Sequence, residues 1–163
     1  MADCATGYAV GLDYTLEYAI GCGDVKPDSG DYLPIGGFTS KEQTLQYDEA
    51  DPTSDLAVGN IKETITTYLN YELSGDVSAR TADEVGRVNQ IALLKHFINP
   101  TLTGGKPYIW TRLTGPELTY ECFMIMTEFS NSMPTGDVVT RAFTAKAASS
   151  PFGLIVTDTP VVP

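Results

Sequence analysis

Residues 38–79 hold two strand-like arms around a long acidic loop, and this arrangement constrains the chain more than any other stretch. From residue 61 to 73 one parity carries Ile61, Ile65, Leu69, Tyr71 and Leu73. The other carries Lys62, Thr64, Thr66, Asn70 and Glu72, with only Glu63 and Tyr68 out of pattern. A period of two with one apolar and one polar side is that of a half-buried strand. The first arm, residues 38–47, is rich in Thr and aromatic residues and has no Pro or internal Gly, as an extended segment requires. Between the arms, residues 48–60 carry Asp48, Glu49, Asp51 and Asp55 with one Pro and one Gly. That is too long for a two-residue hairpin turn and too polar for a core. A loop of such length in a compact chain is generally functional or disordered.

The remaining segments give further strands and one helix. In residues 6–23, Tyr8, Val10, Leu12, Tyr14, Leu16, Tyr18 and Ile20 share one parity, which predicts a strand bent at Gly11. Residues 23–34 form a turn-rich connector. The period then changes: Thr81 and Glu84 have the spacing of a capping box, and Val85, Val88, Ile91, Ala92, Leu94 and Ile98 recur at three and four residues. This predicts a helix over 82–98, stopped at Asn99-Pro100. Residues 106–113 and 118–129 read as strands around a turn at 114–117, and residues 137–147 and 152–156 as two more. With seven or eight strands and one helix, the expected fold is mainly β: an antiparallel β-sandwich or barrel with one flanking α-helix and a long protruding hairpin loop.

At 163 residues the chain is expected to be a single domain, 1–163, large enough to bury roughly 70% of its unfolded surface. Its formal charge of −11 opposes any electrostatic grip on nucleic acid, which needs clustered Lys and Arg. The acidity is lopsided. Residues 1–60 hold eleven acids against Lys26 and Lys41, a net of −9, while residues 61–163 have a net of −2. Met1-Ala-Asp-Cys4 lacks the basic start of a signal peptide, and no segment approaches a membrane span. Cys4, Cys22 and Cys122 are odd in number and widely spaced, which fits free thiols in a reducing cytoplasm.

The usual chemical constellations are missing. The run Thr103-Gly-Gly-Lys-Pro107 lacks the first Gly of a phosphate loop and has Pro where Ser or Thr would hold a metal ion. Cys122 lies in an apolar strand and His96 near a helix end, a poor nucleophile and base. The loop acids lack calcium-loop spacing. No enzyme activity, cofactor or metal is therefore expected. The strongly apolar run from Cys122 to Phe129 has one charge, and at a sheet edge it would invite aggregation. It must be buried within its own sandwich or paired with another subunit.

The order of elements resembles the major tail tube proteins of long-tailed bacteriophages. The resemblance rests on Gly37-Phe-Thr-Ser-Lys-Glu-Gln-Thr-Leu-Gln-Tyr-Asp-Glu-Ala-Asp-Pro-Thr-Ser54, on the arm and Ser-Gly-Asp76 that follow, on the single helix, and on Arg141-Ala-Phe-Thr-Ala-Lys146 before Pro151-Phe-Gly153. It implies a structural virion protein forming stacked, hexameric rings, assembled in the host cytoplasm, whose acidic lumen conducts DNA without specific binding. It further implies that the loop 48–60, with Asp48, Glu49, Asp51, Asp55 and Asn60, contacts the adjacent ring. Two hairpins would line the lumen, one from the arms 38–47 and 61–73 and one from 118–129 and 137–147. Candidate lumenal residues are Glu42, Asp48, Lys62, Glu72, Glu117, Glu121 and Lys146. Implied partners are further copies of the chain, the tail tip and terminator proteins, and the tape measure protein. The alternative is a β-sandwich binding or virion decoration module of small oligomeric state, with a carboxylate-based hydrolase third.

Overall fold

A computed structural model describes residues 10–51, 64–83, 86–88 and 90–160. It contains β1 (Thr15–Ala19), β2 (Leu33–Pro34), β3 (Phe38–Ala50), β4 (Ile65–Ser78), α1 (Ile91–Ile98), β5 (Tyr108–Thr114), β6 (Leu118–Ser132), β7 (Thr140–Ala147) and β8 (Leu154–Asp158). The strands form one antiparallel sheet in the order β2-β1-β5-β6-β7-β4-β3, with β8 also on β6. The expectation of a mainly β antiparallel fold with a single helix holds among the described residues.

β6 organises the sheet because both its faces are apolar. Cys122, Met124 and Met126 enter a core shared with Leu16, Tyr71, Leu73 and Phe143. Phe123, on the opposite parity, packs with Trp110 and Tyr32 in a second cluster. The apolar run thus lies buried within its own chain. Its first half pairs with β5 and β8, and its second half with β7, with a bulge between Met126 and Glu128. Two half-sheets therefore diverge from one long strand and close over the first core. The Lys41 ammonium on β3 donates to the carbonyls of Tyr14 and Gly11, next to β1, which fastens opposite ends of the strand order. At Gly75 a Cβ would come within 2.5 Å of the Phe38 ring, so only Gly lets the two strands pair through that point.

Four sequence expectations change. The strand expected over 6–23 is short: Gly11–Asp13 is a tight helical turn and only Thr15–Ala19 pairs, residues 6–9 lying outside the described set. β4 runs past Leu73 to Ser78, and β3 runs to Ala50, so Asp48 and Glu49 belong to the hairpin ladder and not to a loop. Asp55, Asn60 and Lys62 lie outside the described residues, and so do Glu84 and Val85. The helix begins at Ile91, without the predicted capping box. Val88 is extended there, bridging Ile35 through Val88 N–H to Pro34 O and Gly36 N–H to Val88 O. Its inner face is Leu93 and His96; Leu94 is half-buried, and Ala92 and Ile98 are exposed.

Candidate functional site: a polar sheet face between two open edges

Side chains of one strand parity all point to the same side of a sheet. In the four-stranded part β6-β7-β4-β3, one parity is the core: Met126, Ala145, Phe143, Leu73 and Val77 are buried. The opposite parity is almost wholly polar and small. Registered rows cross the strands as Ser132, Thr140 and Ser78; then Ser130, Ala142, Asp76 and Ser40. The next row is Glu128, Thr144, Ser74 and Glu42, followed by Ile125, Lys146, Glu72 and Thr44.

Charge on this face is strongly one-sided. Glu42, Asp48, Glu72, Asp76 and Glu128 face a single described cation, Lys146, whose ammonium lies 3.4 Å from the Glu72 carboxylate. Hydrogen bonds hold the acids in place: Ser40 Oγ donates to Asp76 at 2.8 Å, and Asn70 Nδ2 donates to Asp48 at 2.6 Å. An exposed pair such as Glu72–Lys146 contributes little stability and mainly sets side-chain direction.

Of the predicted lumenal residues, the structure brings Glu42, Asp48, Glu72 and Lys146 together on this face. It does not bring Glu117 or Glu121 there. Glu117 sits at the β5–β6 turn, its carbonyl accepting the Thr159 N–H. Glu121 points beneath the connector before β2, where its carboxylate meets Lys26 Nζ at 2.5 Å with only 12% of its side chain exposed. Beside it Arg112 binds Glu17 at 2.5 Å and lies 4.4 Å over the Tyr32 ring. Asp76, Glu128 and the Ser/Thr rows were missed by sequence reasoning. Their signal is the unbroken period of Glu72, Ser74, Asp76 and Ser78, which continues past Leu73, the expected end of the second arm.

Both margins of this four-stranded part are open among the described residues. β3 ends the strand order. On the other side, β5 stops at Tyr108 opposite Ile125, and Pro107 O takes the Met126 N–H at 3.0 Å. Beyond that point residues 127–132 are paired to β7 alone. Other candidates have structural partners. His96 Nε2 donates to Tyr108 O at 2.8 Å, and since a carbonyl only accepts, that nitrogen carries the proton. Burial pushes the Cys122 thiol up to about 11, the wrong direction for a nucleophile. Gln90, another residue the sequence did not flag, is buried between Gly36 O and Arg141 and ties the start of α1 to β7.

No protein-family model and no curated protein matches the chain. Solved structures do. A chain of the native gene transfer agent virion aligns with a TM-score of 0.65 and 12% identity, covering 94% of this chain and 100% of that one. A chain from the tail of the empty gene transfer agent particle gives 0.66, 12%, 94% and 100%. The SPP1 tail tube gives 0.63 and 11%, over 93% of this chain and 80% of that one. The chain shares the fold of tail tube subunits. At these identities the likeness lies in backbone architecture, so the tail tube fold is carried here by a different set of side chains. What this chain adds to the tail tube fold in detail, its Ser/Thr rows and five acids, is read from its own residues.

Proposed function

We propose that copies of this chain join edge to edge into rings that stack as the tail tube of a bacteriophage virion, with the polar acidic face lining the channel for DNA. The observation that carries this is the alternation of strand direction across β6, β7, β4 and β3 between two open edges. A rotation about a tube axis preserves strand direction. With an even number of alternating strands, β3 of one copy meets β6 of the next antiparallel, and the same join repeats until the barrel closes. Closure removes both edges, which would otherwise be templates for uncontrolled association. A head-to-tail contact of this kind makes a ring when the rotation closes. The neighbour from the empty particle tail was refined with C6 symmetry, which favours six copies per ring here.

The electrostatics fit a conduit. Each phosphate neutralised by a cation adds affinity that a moving duplex would have to break. Among the described residues of this face, five acids against one lysine repel the backbone and leave DNA hydrated and mobile. The distal end of the β3–β4 hairpin, with Asp48, Glu49 and Asp51, together with Asp55 and Asn60 beyond the described residues, is the proposed contact to the adjacent ring. Tail tip, terminator and tape measure proteins are the proposed partners at the ends and in the lumen. Negative-stain electron microscopy of the concentrated protein tests this: stacked rings or hollow rods are expected, and a uniform population of single subunits at every concentration overturns it.

A further inference from the structure

Two apolar patches flank the open edges of the polar sheet, and both lie on its core side. The first is on the β3–β4 hairpin. Leu45 pairs with Tyr71, and Tyr47 with Leu69, on the parity that forms the core lower in the same strands. Past Tyr71 the hairpin leaves the body of the subunit, so this row runs on without a cover. Tyr47 is 52% exposed, and Leu45 and Leu69 are exposed as well. The second patch is at the corner where α1 turns into β5. Ile98 is 72% and Leu102 74% exposed, and between them and Ile20 opens a cleft of about 530 Å³ edged by Lys95 and Asn99.

The corner adjoins the open flank of β6. Phe97 of α1 packs on Phe129 of β6 with ring centroids 6.0 Å apart, on the core side of the sheet. Pro107, at the foot of the same corner, bonds Met126 where the open flank begins. The hairpin row adjoins the other open edge, because Leu45 and Tyr47 are on β3 itself. When β3 of one copy is laid against β6 of the next, both patches fall on the same side of the same seam.

We infer that the occupant of the cleft between α1 and the tight turn Thr101–Thr103 is the Leu45–Tyr47–Leu69 row of a second copy of this chain. The inference rests on the edge-to-edge ring. It gives that ring a second layer of contact: backbone pairing along the wall, which any strand edge could supply, and apolar packing behind it, which the exposed Leu45, Tyr47 and Leu69 supply. An aromatic ring suits such a site, because its body is buried against Ile98 and Leu102 while the Tyr47 hydroxyl reaches the polar margin. The apolar row selects the partner and the sheet edge sets its direction. This explains why the distal part of the hairpin, left about half exposed in its own subunit, carries large apolar side chains on its core parity.

The test uses the full chain with Cys4→Ser and Cys22→Ser, carrying Leu45→Cys and Leu102→Cys together. Rings or tubes formed at high concentration are oxidised mildly, or treated with a short bismaleimide, and run on a denaturing gel without reductant. A ladder of covalent multimers is expected from the double variant and only monomer from each single one. In parallel, Tyr47→Asp and Ile98→Asp are each expected to abolish sedimentable polymer while leaving the melting midpoint of the monomer within a few degrees. Rings with no ladder, and Ile98→Asp polymer sedimenting like the unmodified protein, would overturn the packing while leaving the ring intact. An unmodified protein that never assembles would remove the ring, and the packing with it.

Discussion

Tyr71 on β4 and Tyr120 on β6 stack with ring centroids 6.5 Å apart and planes 20° from parallel, although β7 lies between their strands in the sheet. Two residues separated by a whole strand can touch face to face only if the sheet rolls back on itself, so this pair marks where the two half-sheets close. Tyr71 is 2% exposed, and its hydroxyl accepts a hydrogen bond from Gln43 Nε2 at 3.2 Å. Tyr71→Ala should therefore cost about 3–5 kcal/mol, the range for a buried aromatic truncated to Ala. Denaturant unfolding of the monomer checks it, and a loss below about 1 kcal/mol would mean that the halves close without this contact.

The helix is anchored one position away from the stripe that its sequence suggests. Leu93→Ala should cost about 2–5 kcal/mol, because the side chain is 1% exposed in the main core. Leu94→Ala should cost clearly less, as Leu94 is only half-buried. Thermal melts of the two variants side by side decide the matter; equal midpoints would contradict the observed helix rotation.

Burial of Cys122 makes stability depend on alkaline pH. The unfolded thiol ionises near its ordinary value of 9.0 and the folded one near about 11, since the folded interior disfavours the thiolate. Between those values the unfolded state binds fewer protons than the folded state, so stability falls as pH rises; below 9 both thiols stay protonated and the contribution is flat. Burial also raises Tyr71 and Tyr32, which extends the loss to higher pH. Unfolding midpoints measured from pH 8 to 11 should decline, and less steeply in Cys122→Ala. The same burial predicts that a thiol reagent labels the exposed Cys22 at once and Cys122 only after unfolding.

Reversing charge on the polar face separates conduction from assembly. Glu42→Lys, Asp76→Lys and Glu128→Lys remove three of its five acids without touching the core parity. Tubes should still form, while DNA delivery from particles built with the variant should slow, more so at low salt where the new attraction is least screened. Normal delivery at every ionic strength would show that the charge of this face does not govern DNA movement.

Shortening the distal hairpin probes stacking. Deleting residues 51–59 should leave the monomer's melting midpoint nearly unchanged, since loop closure changes by only about 0.6 kcal/mol per doubling of length. Rings should persist and tubes should become short. Electron micrographs showing tubes of normal length would remove this segment from the inter-ring contact.

What the sequence determined by itself is the set of strands. A period of two is a property of consecutive residues, so Leu16 and Tyr18, Tyr71 and Leu73, and the apolar run of β6 could be placed without knowing their neighbours. The same locality put Glu72 and Lys146 on the polar parities of their strands, whereas Asp48, expected in the loop, is on β3. Where a residue's role depends on a distant segment, the local pattern misled. Val88 has helical spacing to Ile91, but its backbone is claimed by Pro34 and Gly36, more than fifty residues earlier, and so the helix waits until Ile91. Glu121 alternates like a surface residue, yet Lys26 and the connector before β2 cover it. The expected end of the second arm is Leu73, but at Gly75 the Phe38 ring crosses the ladder and β4 continues to Ser78. Alternation tells which side chains share a face. Which face meets the core, which is covered and which is left for a partner follows from how the sheet rolls, and that depends on free energies of contact between residues the chain order keeps far apart.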